Sequence, residues 1–382
     1  MSDQLPEQPR TQFLGFTRSK GGAGGGNYLE SLAHSIGLGK VVPIISNSIR
    51  SDRFMAMFGF PDGDLGQFIA EIWAADTENE FGGEYPMKER QDLARLAQYR
   101  QVMNEGSPDD AKRDFLGFLT RMLLGWAKAN DKAAAAKILQ ENLEDDPNLT
   151  FSDLVSKLGY PHYEPNQVDP LRLLAKLDLP VYITTSYYDF LERFLRDEGK
   201  DVHSEVYAWS GQLAKIEEQY LPDPNSEYEP TAKAPLVFHL FGMERFPHTM
   251  VLSVDDYLNF LVKTFKNEAE AKSSSDVGKR AAIPTHLWGK IAELPLLLLG
   301  YDLHDWEFQT VYRGLVTAKQ AVNPDAGVVI QLKPNERRGA SDPKRVEEYL
   351  KNYFDKEIKF RVEYDKPDEF MRRLYEQYLN RS

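Results

Sequence analysis

The sequence predicts an α/β fold: a Rossmann-like parallel sheet flanked by helices, with a large helical insert after the first strand. Three observations predict it. Short apolar runs recur at Lys40 to Ile45, Pro180 to Thr185, Pro235 to Phe241, Leu294 to Gly300, Gly327 to Leu332 and Lys359 to Val362, and such continuous runs are typical of strands buried on both faces. Helical stretches separate most of them, the alternation of a parallel sheet. The long stretch between the first and second runs instead carries apolar residues at helical spacing.

In chain order, residues 1–26 end in Gly21-Gly22-Ala23-Gly24-Gly25-Gly26 and read as a flexible tail. The glycines fit no phosphate loop, because the dinucleotide spacing, a following Lys-Ser/Thr and a preceding strand are all missing. Lys40 to Ile45 reads as the first strand, with Pro43 an irritant inside it. Residues 61–179 read as the helical insert: Leu65, Phe68, Ile69, Ile72 and Trp73 make one face, and Phe115, Phe118, Leu119, Met122, Leu123 and Trp126 another. Ser107-Pro108 and Asp169-Pro170 each supply a cap followed by a first-turn proline. Residues 27–60 and 180–382 together read as the sheet domain. No internal repeat is visible.

Composition excludes several classes. Lys and Arg total 46 against 59 Asp and Glu, a net charge of −13, which repels a phosphate backbone. No nucleic acid partner is expected. Lys333, Arg337, Arg338, Lys344 and Arg345 cluster locally, but Glu347, Glu348, Asp355 and Glu357 interleave with them, as on a solvated surface. The longest apolar run, Leu294 to Gly300, falls far short of the roughly 20 residues of a membrane span. The N-terminus lacks a signal-peptide plan, so a cytoplasmic location is expected. The chain has no cysteine, which excludes disulfides and thiolate sites. His304, His248 and His286 lack ligand spacing with acidic neighbours, so no metal is expected.

In an open parallel sheet, ligands sit beyond the carboxyl ends of the strands. Those ends read Ser46-Asn47-Ser48-Ile49-Arg50, Thr184-Thr185-Ser186-Tyr187-Tyr188-Asp189, His239-Leu240-Phe241-Gly242 and Gly300-Tyr301-Asp302-Leu303-His304-Asp305-Trp306. In this order the four segments resemble the sirtuin-like domains of bacterial antiviral defence proteins. Strands of that family end in Gly-Ala-Gly-x-Ser, Thr-Thr-Asn-Tyr-Asp, His-Leu-His-Gly and Gly-Tyr-Ser-x-x-Asp. The resemblance covers roughly Lys40 to Leu379, with the insert loosely matched.

The resemblance implies NAD+ as substrate, hydrolysed to nicotinamide and ADP-ribose, in a protein that oligomerises and acts when a companion sensor protein detects infection. An Argonaute, an ATPase or a nucleotide-processing subunit would fit as that companion. It implies cofactor contacts at Ser46, Asn47, Ser48, Arg50, Thr185, Gly300 and Asp302, with Arg50 pairing with phosphate oxygens through its planar fork. Catalytic roles fall to Ser186, which stands where the family has Asn and orients a water, and to His239, which contacts water or ribose. For His239 the alternative is a buried imidazole satisfied by a backbone partner. Asp305 reads as a helix cap. Ser46, Asn47 and Ser48 replace the family's glycines, Tyr188 its Asp, and Asp302 its usual Ser. A catalytically silent nucleotide-binding or assembly subunit is the other reading. Zinc-dependent deacetylation is not expected without cysteines. Trp73, Trp126, Trp209, Trp288 and Trp306 suit either a core or a subunit interface.

Overall fold

The structure, a computed structural model, describes residues 25–57, 64–104, 106–130, 149–159, 168–223, 227–271, 283–303, 305–316, 327–333 and 360–381, plus isolated positions at 133–141, 319 and 345–352. Residues 1–24 of the tail expected over 1–26, His304, and Arg337, Arg338 and Lys344 of the basic cluster lie outside them, whereas Gly25 and Gly26 of that tail begin the first helix.

Helix α1 (Gly25–Gly37) buries Leu29, Leu32, Ala33 and Ile36, one stripe at helical spacing. It packs against α12 (Pro367–Leu379), which buries Phe370, Met371 and Leu374. Between them in the chain come the seven strands of one sheet: β1 (Val42–Ile45), β2 (Val181–Thr184), β3 (His203–Val206), β4 (Leu236–His239), β5 (Leu296–Tyr301), β6 (Val328–Leu332) and β7 (Phe360–Tyr364). The spatial order is β3-β4-β2-β1-β5-β6-β7, and every pair is parallel. This is the α/β Rossmann-like architecture expected from the sequence. Strand β3, His-Ser-Glu-Val, was not expected there, because an edge strand carrying polar residues has no apolar run to announce it.

Pro43 sits in the central strand without breaking the ladder. Val42 and Ser46 donate their N–H groups to Pro295 and Leu299 at β5, so alternation turns the nitrogen of Pro43 toward β2. Pairing with β2 begins only at Ile44, so the missing donor leaves no gap.

Between β1 and β2 the described residues contain only helices: α2 (Ser51–Met57), α3 (Leu65–Phe81), α4 (Leu93–Met103), α5 (Pro108–Asn130), α6 (Phe151–Leu158) and α7 (Pro170–Ala175). Trp73 of α3 lies against Phe115 and Phe118 of α5 at ring distances of 5.1 and 5.9 Å. Arg100 of α4 stacks on Trp73 and donates to Thr77 and Asp114. Three helices are thus joined by packing and by one satisfied buried charge. Trp73 and Trp209 belong to the core, and Trp126, Trp288 and Trp306 pack against it half-buried. The remaining helices are α8 (Phe190–Asp197), α9 (Val254–Ala271), α10 (Thr285–Glu293) and α11 (Trp306–Val311), which continues as a π turn over Tyr312–Val316.

The strand order fixes where a ligand can sit. β2, β4 and β3 extend to one side of β1, and β5, β6 and β7 to the other. The order therefore reverses at β1, and its carboxyl end opens onto the crevice where such sheets bind ligands.

Candidate nucleotide site at the strand tips

At the tip of β1 the chain turns through Ser46, Asn47 and Ser48. The Ser46 hydroxyl donates to Glu307 at 2.9 Å, and the Asn47 N–H donates to the same carboxyl group at 2.8 Å. Ser46 Oγ in turn accepts from the Ser48 N–H at 3.0 Å. Thr185, at the tip of β2, donates to Glu307 as well and lies 3.2 Å from the Tyr301 hydroxyl. Glu307 belongs to the first turn of α11, which follows β5, so donors from the tips of β1 and β2 converge on one buried carboxyl. Burial raises its pKa, against the hydrogen bonds from Thr185, Asn47 and Ser46 and the nearby ammonium of Lys333.

Two clefts flank this loop. One, of roughly 600 Å³ with open water at its mouth included, lies between Ser46, Asn47, Arg50, Thr184 and Ser186 and the insert, which contributes Phe54 and Ile69. The other, of roughly 650 Å³ on the same measure, lies between Asn47, Ser48, Tyr257, Trp306 and Glu307 and the starts of α3 and α4. Asn47 borders both, and its side-chain oxygen is buried without a hydrogen-bond donor.

The remaining expected residues are engaged differently. Arg50 is buried and pairs with Asp169 at 3.1 Å, and its guanidinium lies over the rings of Phe54, Phe190 and Phe194 at 4.9–5.6 Å. Asp169 meanwhile caps α7 by accepting from Leu171 and Arg172. Arg50 thus ties the β1 loop to the insert through a protein carboxylate. Its Nη2 is the one part left without an acceptor.

His239 ends β4 in full burial. Its Nε2 lies 2.5 Å from Glu192 of α8, and its Nδ1 lies 3.0 Å from the Ser186 carbonyl. Both side chains are essentially unexposed, at 0% and 1%. Burial disfavours both charges, yet the pair overrides it: His239 is raised and Glu192 lowered, each by the other. The two side chains are hydrogen-bonded in full burial, with Ser204 a further donor to Glu192. The backbone partner anticipated for a buried His239 is present, together with a carboxylate that was not anticipated. Ser186 is half-buried at the first cleft, and its Oγ accepts from the Tyr188 N–H.

Gly300 adopts φ +79, and a Cβ there would lie 2.7 Å from the Ile49 Cα. The close approach that this glycine permits is between β5 and the β1 loop. Its N–H donates to Gln331. Asp302 is buried, and its carbonyl accepts from the Asp305 N–H. Asp305 occupies the N-cap position of α11, as expected, but its side chain makes no capping bond there. Lys333, from the end of β6, reaches Asp64, Ser51 and the Ser48 carbonyl, and so fastens the β1 loop from beneath.

The structure therefore brings together Ser46, Asn47, Ser48 and Ser186 at the clefts, with Thr185 buried beside them, has Arg50 line the first cleft while paired with Asp169, and places His239 and Gly300 in packed contacts behind. Glu307 and Glu192 escaped the sequence reading as site residues; Asp169 caps its helix as expected but also pairs with Arg50, and Lys333, expected on a solvated surface, is buried. Glu192 and Glu307 each sit on the helix that follows a recognised strand tip, a signal that becomes specific only once the partner strand is known.

Residues 180–356 match the SIR2-like domain family. The match begins at β2, includes β3 to β6, and covers just under half of the chain. It supports a sirtuin-like domain, with the NAD-related nucleotide binding that such a domain implies. The β1 loop lies outside it. No curated protein matches the chain. Among the described residues no group of His, Cys, Asp and Glu could hold a metal ion, and no helix is long and apolar enough to cross a membrane.

Proposed function

We propose that the protein is an NAD+ glycohydrolase that binds its substrate over the tips of β1, β2 and β5. The observation that carries the binding reading is the convergence of Ser46, Asn47 and Thr185, between two clefts, at the sheet's reversal point. These donors suit a diphosphate, and the flanking clefts offer room for the two ends of a dinucleotide.

Cleavage of the nicotinamide glycosidic bond asks little of acid–base chemistry, because the leaving group departs neutral from a cation. The site must hold the substrate, shield the developing oxocarbenium ion and position one water. Ser186, at the first cleft, is the residue we assign to the water. His239 acts from behind as a positioning residue, because its Nδ1 holds the Ser186 carbonyl while Glu192 fixes the ring.

The setting we propose is bacterial antiviral defence, with cleavage switched on by homo-oligomerisation and a companion sensor protein. The supports are the resemblance of the strand-tip motifs and the packed state of the single chain. A second reading, a catalytically silent nucleotide-binding or assembly subunit, is favoured by one observation: the imidazole has no exposed atom through which to meet a substrate. Following nicotinamide release from NAD+ by the purified protein, alone and with its candidate companion, separates the two. Release only in the assembly supports the first reading. Binding without release under every condition supports the second.

A further inference from the structure

The donors best placed for a ligand phosphate are already occupied by a group of the protein itself. The Asn47 N–H and the Ser46 and Thr185 hydroxyls all point at Glu307. A backbone amide and hydroxyls turned inward at the end of a central parallel strand form an anion cradle. We propose that Glu307 is a built-in occupant of this cradle: its carboxyl group holds the position that a phosphate group of a nucleotide would take, and such ligands enter only as Glu307 withdraws. The proposal rests on the nucleotide reading above and adds the mode of its regulation.

Three features argue for a displaceable occupant rather than a strut. Glu307 lines the larger cleft together with Asn47 and Ser48, so an incoming ligand meets its carboxyl group directly. Its helix, α11, is six residues long and runs straight into the π turn of Tyr312–Val316. Such turns interrupt the regular ladder and recur where helices shift at functional sites. At the other end of α11, the N-cap side chain of Asp305 makes no capping hydrogen bond.

The electrostatics agree with the geometry. Two anions cannot share one set of donors at contact distance in a buried site. Either the phosphate displaces the carboxylate or the carboxylate excludes the phosphate. Burial makes the ionised form of Glu307 costly.

The test compares wild type, Glu307→Gln and Glu307→Ala in the full chain, by calorimetry with inorganic pyrophosphate and with NAD+. Glu307→Ala is expected to bind pyrophosphate at least about tenfold more tightly than wild type, the scale of one charge-assisted hydrogen bond regained. Glu307→Gln keeps the side chain's shape and removes its charge, and a smaller gain is expected. Hydrogen exchange at the Asn47 amide should be slow in wild type, fast in free Glu307→Ala, and slow again with pyrophosphate. Equal or weaker pyrophosphate binding by Glu307→Ala, with a cooperative melt retained, overturns the proposal. Should that variant not fold, unchanged affinity in Glu307→Gln overturns it. Tighter pyrophosphate binding without NAD+ binding by any variant leaves the occupant standing and removes the NAD+ reading. NAD+ binding of equal strength in all three does the reverse.

Discussion

The two sides of the reversal point treat buried charge in opposite ways. On the β2 and β4 side, Glu192 and His239 pair 2.5 Å apart and line neither of the two clefts. On the β1 and β5 side, Glu307 is held by a backbone amide and two hydroxyls and borders a cleft. The first arrangement is closed and its value is positional. The second is satisfied only while nothing else competes for the same donors. Function in this protein is therefore expected at β1 and β5, with β4 as the frame.

The comparison breaks most visibly at β4. Glu192→Ala leaves an imidazole in full burial without its carboxylate, and removing one partner of such a pair costs about 3–5 kcal/mol. Urea denaturation should show that loss, and His239→Ala a similar one, so an activity assay on either needs a stability control. The pH dependence has a definite sign. Glu192, depressed in the fold, contributes stability above its unfolded value of about 4.3 that is lost as pH falls through its folded value. His239, raised in the fold, contributes stability that is complete below about 6.5 and lost as pH rises through its folded value. The pair thus contributes fully between these limits, and the double variant Glu192→Gln/His239→Gln should flatten the profile.

Gly300→Ala tests the opposite side. The positive φ and the approach of Ile49 predict a cost of about 1–3 kcal/mol in thermal unfolding. They also predict faster exchange at the Asn47 amide, because the β1 loop must move away. An unchanged amide would separate β5 packing from the cradle.

How far the sequence discloses this follows from where the information lies. The apolar runs announce six strands because parallel strands are buried on both faces, and the helical faces of Phe115 and Trp73 announce the insert. β3 and the partners of the strand tips stay hidden, since a polar edge strand has no run and a tertiary ion pair has no spacing. Arg50 shows the limit most plainly. Its residue type suits a phosphate, but Asp169, far along the chain, reaches the same guanidinium. Only a three-dimensional arrangement decides between those partners.

A smaller effect concerns the docking of the insert. Glu244 accepts from the Phe151 and Ser152 N–H groups at the start of α6, and burial pushes its pKa up to about 8, despite those bonds and that from the Ser152 hydroxyl. A carboxyl raised in the fold contributes stability below its unfolded value of about 4.3 that is lost as pH rises through about 8. Wild type should therefore melt at lower temperature at pH 9 than at pH 5, and Glu244→Gln should lose much of that difference. Smaller still, Ser186→Ala removes one acceptor from the Tyr188 N–H, a change of about 1 kcal/mol. Its informative readout is nicotinamide release in the assembly, which should fall while NAD+ affinity holds.

The central claim is that a nucleotide diphosphate binds at the tips of β1, β2 and β5. Hydrogen exchange with and without saturating ADP-ribose tests it most directly. Slower exchange confined to peptides spanning 45–50, 184–187 and 299–307, with β3 and β7 unchanged, is the result expected. Binding that protects none of these three peptides, or no binding of ADP-ribose and NAD+ at all, would contradict it.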